Sequence, residues 1–185
     1  WFTNGAVSSF VANFITVNNK IAAYDGAALS GQGLIDGSAS NRYTVADGAW
    51  SATTTWDGGT VPNNAANVFI RHTVNLTAGA TTNSITFDQN LSTTPATYGL
   101  TAAAVAQTLT VTGGVINVSP GLTVTTNNFV NIAFGAVEGL FDVSTGASLS
   151  VAGVITGTGG ITKAGAGDYT PTGANTYTVG TNISG

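Results

Sequence analysis

The feature that most constrains this chain is a long succession of short runs in which apolar and polar residues alternate. Val68-Phe69-Ile70, Thr73-Val74-Asn75-Leu76 and Ser84-Ile85-Thr86-Phe87 open the series. Thr108-Leu109-Thr110-Val111, Val115-Ile116-Asn117-Val118, Leu122-Thr123-Val124 and Phe129-Val130-Asn131-Ile132 continue it. Leu140-Phe141-Asp142-Val143, Leu149-Ser150-Val151, Val154-Ile155-Thr156 and Thr176-Tyr177-Thr178-Val179 complete it. Alternation with period two puts every second side chain on one face of an extended backbone, so each run predicts a half-buried strand. Abundant Thr and Val favour strands, and the 25 glycines supply turns. The chain is expected to be all-β.

The separators decide between β architectures. Two-residue Asn-Gly or Asp-Gly loops mark antiparallel hairpins, and few such pairs separate these runs. Single Gly, Gly-Ala, Gly113-Gly114 and Pro120-Gly121 stand there instead, and Gly-x-Leu-x-Val recurs around Leu122 and Leu149. Short similar strands joined by shallow corners predict a right-handed parallel β-helix, a β-solenoid, in which each rung stacks about 4.8 Å above the last. A β-sandwich is the alternative.

Composition removes several classes of function. Only 6% of the residues are charged, with Lys and Arg totalling four against eight Asp and Glu. So few cations cannot form the basic stripe that nucleic acid requires, and no nucleic-acid partner is expected. The chain has no Cys, which excludes disulfides, thiolate metal sites and cysteine nucleophiles. The longest apolar stretch, Leu100 to Ala106, is interrupted by Thr101 and falls far short of the roughly 20 residues of a membrane span. A chain opening at Trp1 without Met is expected to have lost any targeting signal.

Residues before Val68 read differently. Val7, Phe10, Val11, Phe14 and Ile15 have helical spacing, but Phe14-Ile15-Thr16-Val17 and Lys20-Ile21-Ala22-Ala23-Tyr24 flank Asn18-Asn19 and are rich in β-branched residues. A strand or hairpin is therefore expected there, followed by loop or irregular strand over 25–41. The expected division is an N-terminal extension, 1–47, and a parallel β-solenoid, 48–185.

Two stretches carry a family likeness. Trp50, Trp56-Asp57-Gly58-Gly59 and Pro62 give W-x5-W-x-G-G-x-x-P, followed by Asn67-Val68-Phe69-Ile70 and His72-Thr73-Val74. Gly157-Thr158-Gly159-Gly160-Ile161-Thr162-Lys163-Ala164-Gly165-Ala166-Gly167 leads on to Gly173-Ala174-Asn175-Thr176-Tyr177. The first resembles the head motif of secreted bacterial β-solenoid surface proteins, and the second is similar to the autotransporter-associated β-strand repeat. Tyr169 and Pro171 stand where that repeat has leucine-like residues. The likeness covers roughly 48–87 and 146–185. It implies an extracellular protein at a bacterial surface, serving as a stalk, adhesin or structural element.

No catalytic, cofactor or metal residues are expected. His72 is the only His and sits within the strand motif just described. The carboxylates Asp25, Asp36, Asp47, Asp57, Asp88, Glu138, Asp142 and Asp168 are scattered almost singly, without the pair that glycoside hydrolysis needs. Ala164-Gly165-Ala166-Gly167-Asp168 is one out-of-register echo of a calcium nonapeptide, which works only in tandem. Trp50 and Trp56 could stack on sugars and are read instead as aromatics capping the first rung. Repeat sequence runs to Gly185, and an apolar segment at 6–24 matches no rung. The two are expected to pair between subunits, with Phe10, Val11, Phe14 and Ile15 at one end and Tyr177, Val179 and Ile183 at the other. The functional expectation is a non-enzymatic subunit of a self-assembling filament whose partner is itself. The alternative is an adhesin or stalk module, part of a longer passenger, that binds an extracellular polysaccharide or a neighbouring surface.

Overall fold

Parallel pairing organises the chain from residue 41 onward. The structure, a computed structural model, describes residues 16–17, 20–21, 41–89 and 97–184. The chain divides into two compact units, Trp1–Asn41 and Arg42–Gly185. In the first, β1 (Thr16–Val17) pairs antiparallel with β2 (Lys20–Ile21), Thr16 opposite Ile21 and Val17 opposite Lys20.

The remaining strands run, in chain order, β3 (Asn41–Tyr43), β4 (Gly48–Ala49), β5 (Asn67–Ile70), β6 (Val74–Leu76), β7 (Ala80–Phe87) and β8 (Thr97–Ala102). They continue with β9 (Gln107–Val118), β10 (Thr123–Thr126), β11 (Val130–Ala133), β12 (Gly139–Val143) and β13 (Ser148–Val151). Last come β14 (Ile155–Thr156), β15 (Ile161–Ala164), β16 (Asp168–Pro171) and β17 (Thr181–Ile183). One six-stranded sheet has the order β16-β13-β10-β8-β6-β4, and a nine-stranded array carries β17-β15-β12-β9-β7-β5-β3 with β11 and β14 branching from β9. The fold is all-β with parallel sheets, which departs from the antiparallel hairpins of a sandwich.

In-register parallel pairing stacks like on like. Val68, Ile85, Ile116 and Phe141 form one inward column, each opposite the next across a ladder. Val74, Leu100, Thr126 and Val151 form a second, and Leu109, Ile132 and Ile155 a third. All these side chains are buried. Thr126 tolerates its apolar column because its Oγ1 accepts the Ala152 N–H at 3.2 Å, so the hydroxyl is not orphaned.

Two expected boundaries differ. Gly113-Gly114 does not separate two strands, because β9 runs unbroken through it. The glycines form a bend inside one strand, opposite the register shift between Thr82 and Ser84. Gly114 has φ +74°, and a Cβ there would lie 2.2 Å from the Glu138 carbonyl oxygen. Residues before the bend pair with β11 and those after it with β12, so one strand serves two faces. The second difference is Thr176–Val179, which is not a strand. Thr176 and Thr178 donate to the Ile155 and Gly157 carbonyls at 2.9 and 3.2 Å, a bonding row with no ladder on its other side.

Candidate interaction surface

The aromatic pair expected to cap the first layer is built by local chain geometry. Two short 3₁₀ turns, Thr53–Thr55 and Asp57–Gly59, fold the segment after β4 back on itself. The Trp56 indole N–H donates to the Trp50 carbonyl at 2.7 Å, and the Thr55 hydroxyl donates to the Ala49 carbonyl at 2.8 Å. The two indoles meet edge to face with centroids 5.0 Å apart. Both are buried with the core residues, and Trp56 also bridges to Thr44. Phe10, Val11, Phe14 and Ile15 lie outside the described residues.

At the other end of the nine-stranded array, β17 is outermost. Thr181, Asn182 and Ile183 pair with Ile161, Thr162 and Lys163 of β15. The Gly180 carbonyl accepts the Ile161 N–H, and Ser184 N–H donates to the Lys163 carbonyl. Strand alternation then turns the backbone groups of Thr181 and Ile183 outward, away from β15. Val179 is 57% exposed and Ile183 73% exposed, although both are apolar. Tyr177 is half-buried against the core, its hydroxyl 2.7 Å from Thr181 Oγ1. Together these make a sheet edge with exposed apolar side chains, the arrangement onto which another strand can add.

Two buried polar groups beneath this edge escape a reading of the sequence alone. Ile161-Thr162-Lys163-Ala164 alternates, and register places Lys163 opposite Phe141, inside the column. It is buried, and its ammonium donates to the Gly165 carbonyl. Tyr169 stacks on Phe141 with centroids 4.6 Å apart, and its buried hydroxyl has no partner among the described residues. Burial, and secondarily the nearby Tyr177, holds the Tyr169 phenol well above the usual tyrosine range.

Five of the titratable residues weighed for chemistry, His72, Asp47, Asp57, Asp88 and Glu138, make local structural contacts, while Asp25 and Asp36 lie outside the described residues. His72 Nδ1 lies 3.0 Å from Thr44 Oγ1. Asp47 accepts the Thr73 N–H and Asp57 the Tyr43 N–H, each at 2.8 Å. Asp88 accepts both Nε and an Nη of Arg71 at 3.1 and 2.7 Å, while the guanidinium lies 4.9 Å above the Tyr43 ring. Glu138 accepts the Thr162 hydroxyl. Among the described residues, no three His, Asp or Glu side chains gather as a metal site would require, and no helix is long and apolar enough to cross a membrane. Set beside protein-family models, curated proteins and solved structures, the chain matches none.

Proposed function

We propose that the chain is a right-handed parallel β-solenoid of the secreted bacterial surface class and that it acts as a non-enzymatic extracellular structural protein. It is the subunit of a filament built head to tail by β-pairing. Support for the solenoid comes from the way the chain returns to each ladder: Val74 pairs with Leu100 and Thr97 with Thr123, both 26 residues apart. From β3 to β10 consecutive strands alternate between the two sheets, and after that the chain passes through two strands of the nine-stranded array before each return to the six-stranded sheet, which is how a circuit lays one layer on the last.

The observation that carries the filament reading is the outer edge of β17, where outward backbone groups adjoin the exposed Val179 and Ile183. A strand of residues 6–24 from a neighbouring subunit supplies the complementary groups. Each added backbone hydrogen bond contributes about 1 kcal/mol net, and burying a Val or Ile side chain about 1.5–3 kcal/mol. With 6% charged residues, little like-charge repulsion opposes stacking. Such a heterologous contact need not close on itself, and an open one propagates as a filament.

Negative-stain electron microscopy of the untagged chain tests this directly. Uniform fibres are expected. Ile183→Asp, at an exposed position, should abolish them while leaving thermal unfolding within the narrow range typical of surface substitutions. Dispersed short rods from the parent chain would overturn the filament and leave the stalk or adhesin, for which glycan binding is the next measurement.

A further inference from the structure

The outer face of the six-stranded sheet carries a two-dimensional set of hydroxyls that the protein itself does not use. Thr123 and Thr125 of β10 point outward, and register sets Ser148 and Ser150 of β13 beside them, with Thr170 of β16 beyond Ser150. Val124, Leu149 and Val151 fill the inward positions between them. None of the five hydroxyls has a hydrogen-bond partner among the described residues. Elsewhere hydroxyls are engaged: Thr55, Thr82, Thr112 and Thr178 all donate to backbone carbonyls. The outward neighbour of Thr125 on β8 is Gly99, which adds no side chain. The only charge in these columns is Asp168, at the end beside Ser148.

Unlike Ser51 and Thr77, whose hydroxyls lean together to 3.1 Å, these five stand apart at the spacing of the strands. Neighbouring strands lie about 4.8 Å apart, beyond the roughly 2.5–3.0 Å reach of an O–H···O bond. One water, however, fits between them. Held by two bonds of about 2.8 Å across a 4.8 Å gap, it subtends an angle of about 120°, within about 10° of tetrahedral. Along a strand, residues i and i+2 are about 6.7 Å apart, a distance two waters in series can span. The face thus orders water in two directions at near-tetrahedral geometry, and ice is the solid in which every water oxygen has that geometry.

We propose that this face adsorbs to ice. A sugar would require outward aromatics to stack on, and the sheet's tyrosines, Tyr98 and Tyr169, occupy inward positions in register with Val124 and Leu149. A protein partner would require the aromatic or arginine anchors that dominate such interfaces, and these columns present none. A repeating hydrogen-bonding surface, with a single charge at its end, is left as the complement. The face is separate from the β17 edge, so the inference stands apart from filament assembly.

The test is ice recrystallisation with the full chain, read as ice-grain size after annealing below the melting point. The parent chain should keep grains smaller than an equal mass of serum albumin does. Thr125→Tyr, which puts a ring in the middle of the face, should remove the effect. Thr108→Tyr, at an exposed position on the part of β9 that pairs with β11, should retain it. Should Thr125→Tyr lose the native circular dichroism spectrum, Ser150→Lys takes its place. Grains as large as the albumin control for the parent chain overturn the proposal. So does equal loss from Thr108→Tyr, or full retention in the folded variant on this face.

Discussion

Gly153 and Gly146 are glycines for opposite physical reasons, and substituting each by Ala separates them. A Cβ on Gly153 would lie 1.9 Å from the Val130 carbonyl oxygen, where real Cβ contacts essentially never fall below 3.0 Å, so the layers must part by at least 1.1 Å. Two hydrogen bonds hold that corner: Ile132 N–H to the Val154 carbonyl at 2.9 Å, and Val154 N–H to Asn131 Oδ1 at 3.0 Å. Lengthened by that shift, each reaches about 4 Å and ceases to be a hydrogen bond. Losing two such bonds, with partly buried groups left unpaired, costs about 2–5 kcal/mol. Gly146 has φ +73° with nothing within 4 Å of its Cβ, so Gly146→Ala meets only the left-handed backbone penalty of about 1–2 kcal/mol. Urea unfolding followed by circular dichroism should therefore give Gly153→Ala the lower midpoint at an unchanged slope. If Gly146→Ala were the more damaging of the two, the parallel layers would not be meeting at backbone contact distance at this corner.

Two further expectations concern buried polar atoms. Tyr169→Phe removes a buried hydroxyl that has no partner among the described residues, so stability should hold or rise by up to about 1 kcal/mol in the same unfolding assay. Because burial raises the folded-state value of this phenol, its neutral form is favoured by folding. The contribution is complete below the unfolded value of about 10 and is lost as pH rises above it, so the parent chain should weaken in alkali more steeply than Tyr169→Phe. Trp56→Phe leaves the buried Trp50 carbonyl without its 2.7 Å donor and should cost about 1–3 kcal/mol by denaturant titration.

Periodicity located most of the strands because the inward columns are apolar at nearly every position, Thr126 and Lys163 being exceptions. Ile116, Phe141 and Val143 are apolar at every second place, and no side chain between them breaks the pattern. It failed where tertiary geometry overrides local chemistry. Gly113-Gly114 has the composition of a turn, yet the bend it makes keeps both halves extended, since each half is bonded along a different neighbour. β8 is hidden because Tyr98, Leu100 and Ala102 sit in a stretch whose composition suggests only an apolar run. β16 contains Pro171, and it survives because it is outermost in its sheet, where a missing N–H leaves no ladder bond unmade. At the β17 edge, Val179 and Ile183 were visible as apolar residues in repeat sequence. The inward Lys163 was not, because a lysine in an alternating run reads as solvent-facing until register places it opposite Phe141.

The unequal spacing of paired residues bears on how a gene for such a protein can change. Asn67 pairs with Ser84, 17 positions on, whereas Ser84 pairs with Val115, 31 positions on, and both pairings belong to the same ladders. Part of the surplus lies in longer strands, since β8 has six residues where β6 has three and β9 extends eight residues before Val115, yet the pairing stays in register. In the proposed solenoid, duplicating or deleting one whole circuit also leaves every remaining layer facing a parallel neighbour of the same pattern. A lineage can therefore lengthen or shorten the protein in circuit-sized steps by recombination within its own coding sequence. Inserting or deleting a single residue inside a strand, by contrast, turns the inward positions beyond it outward.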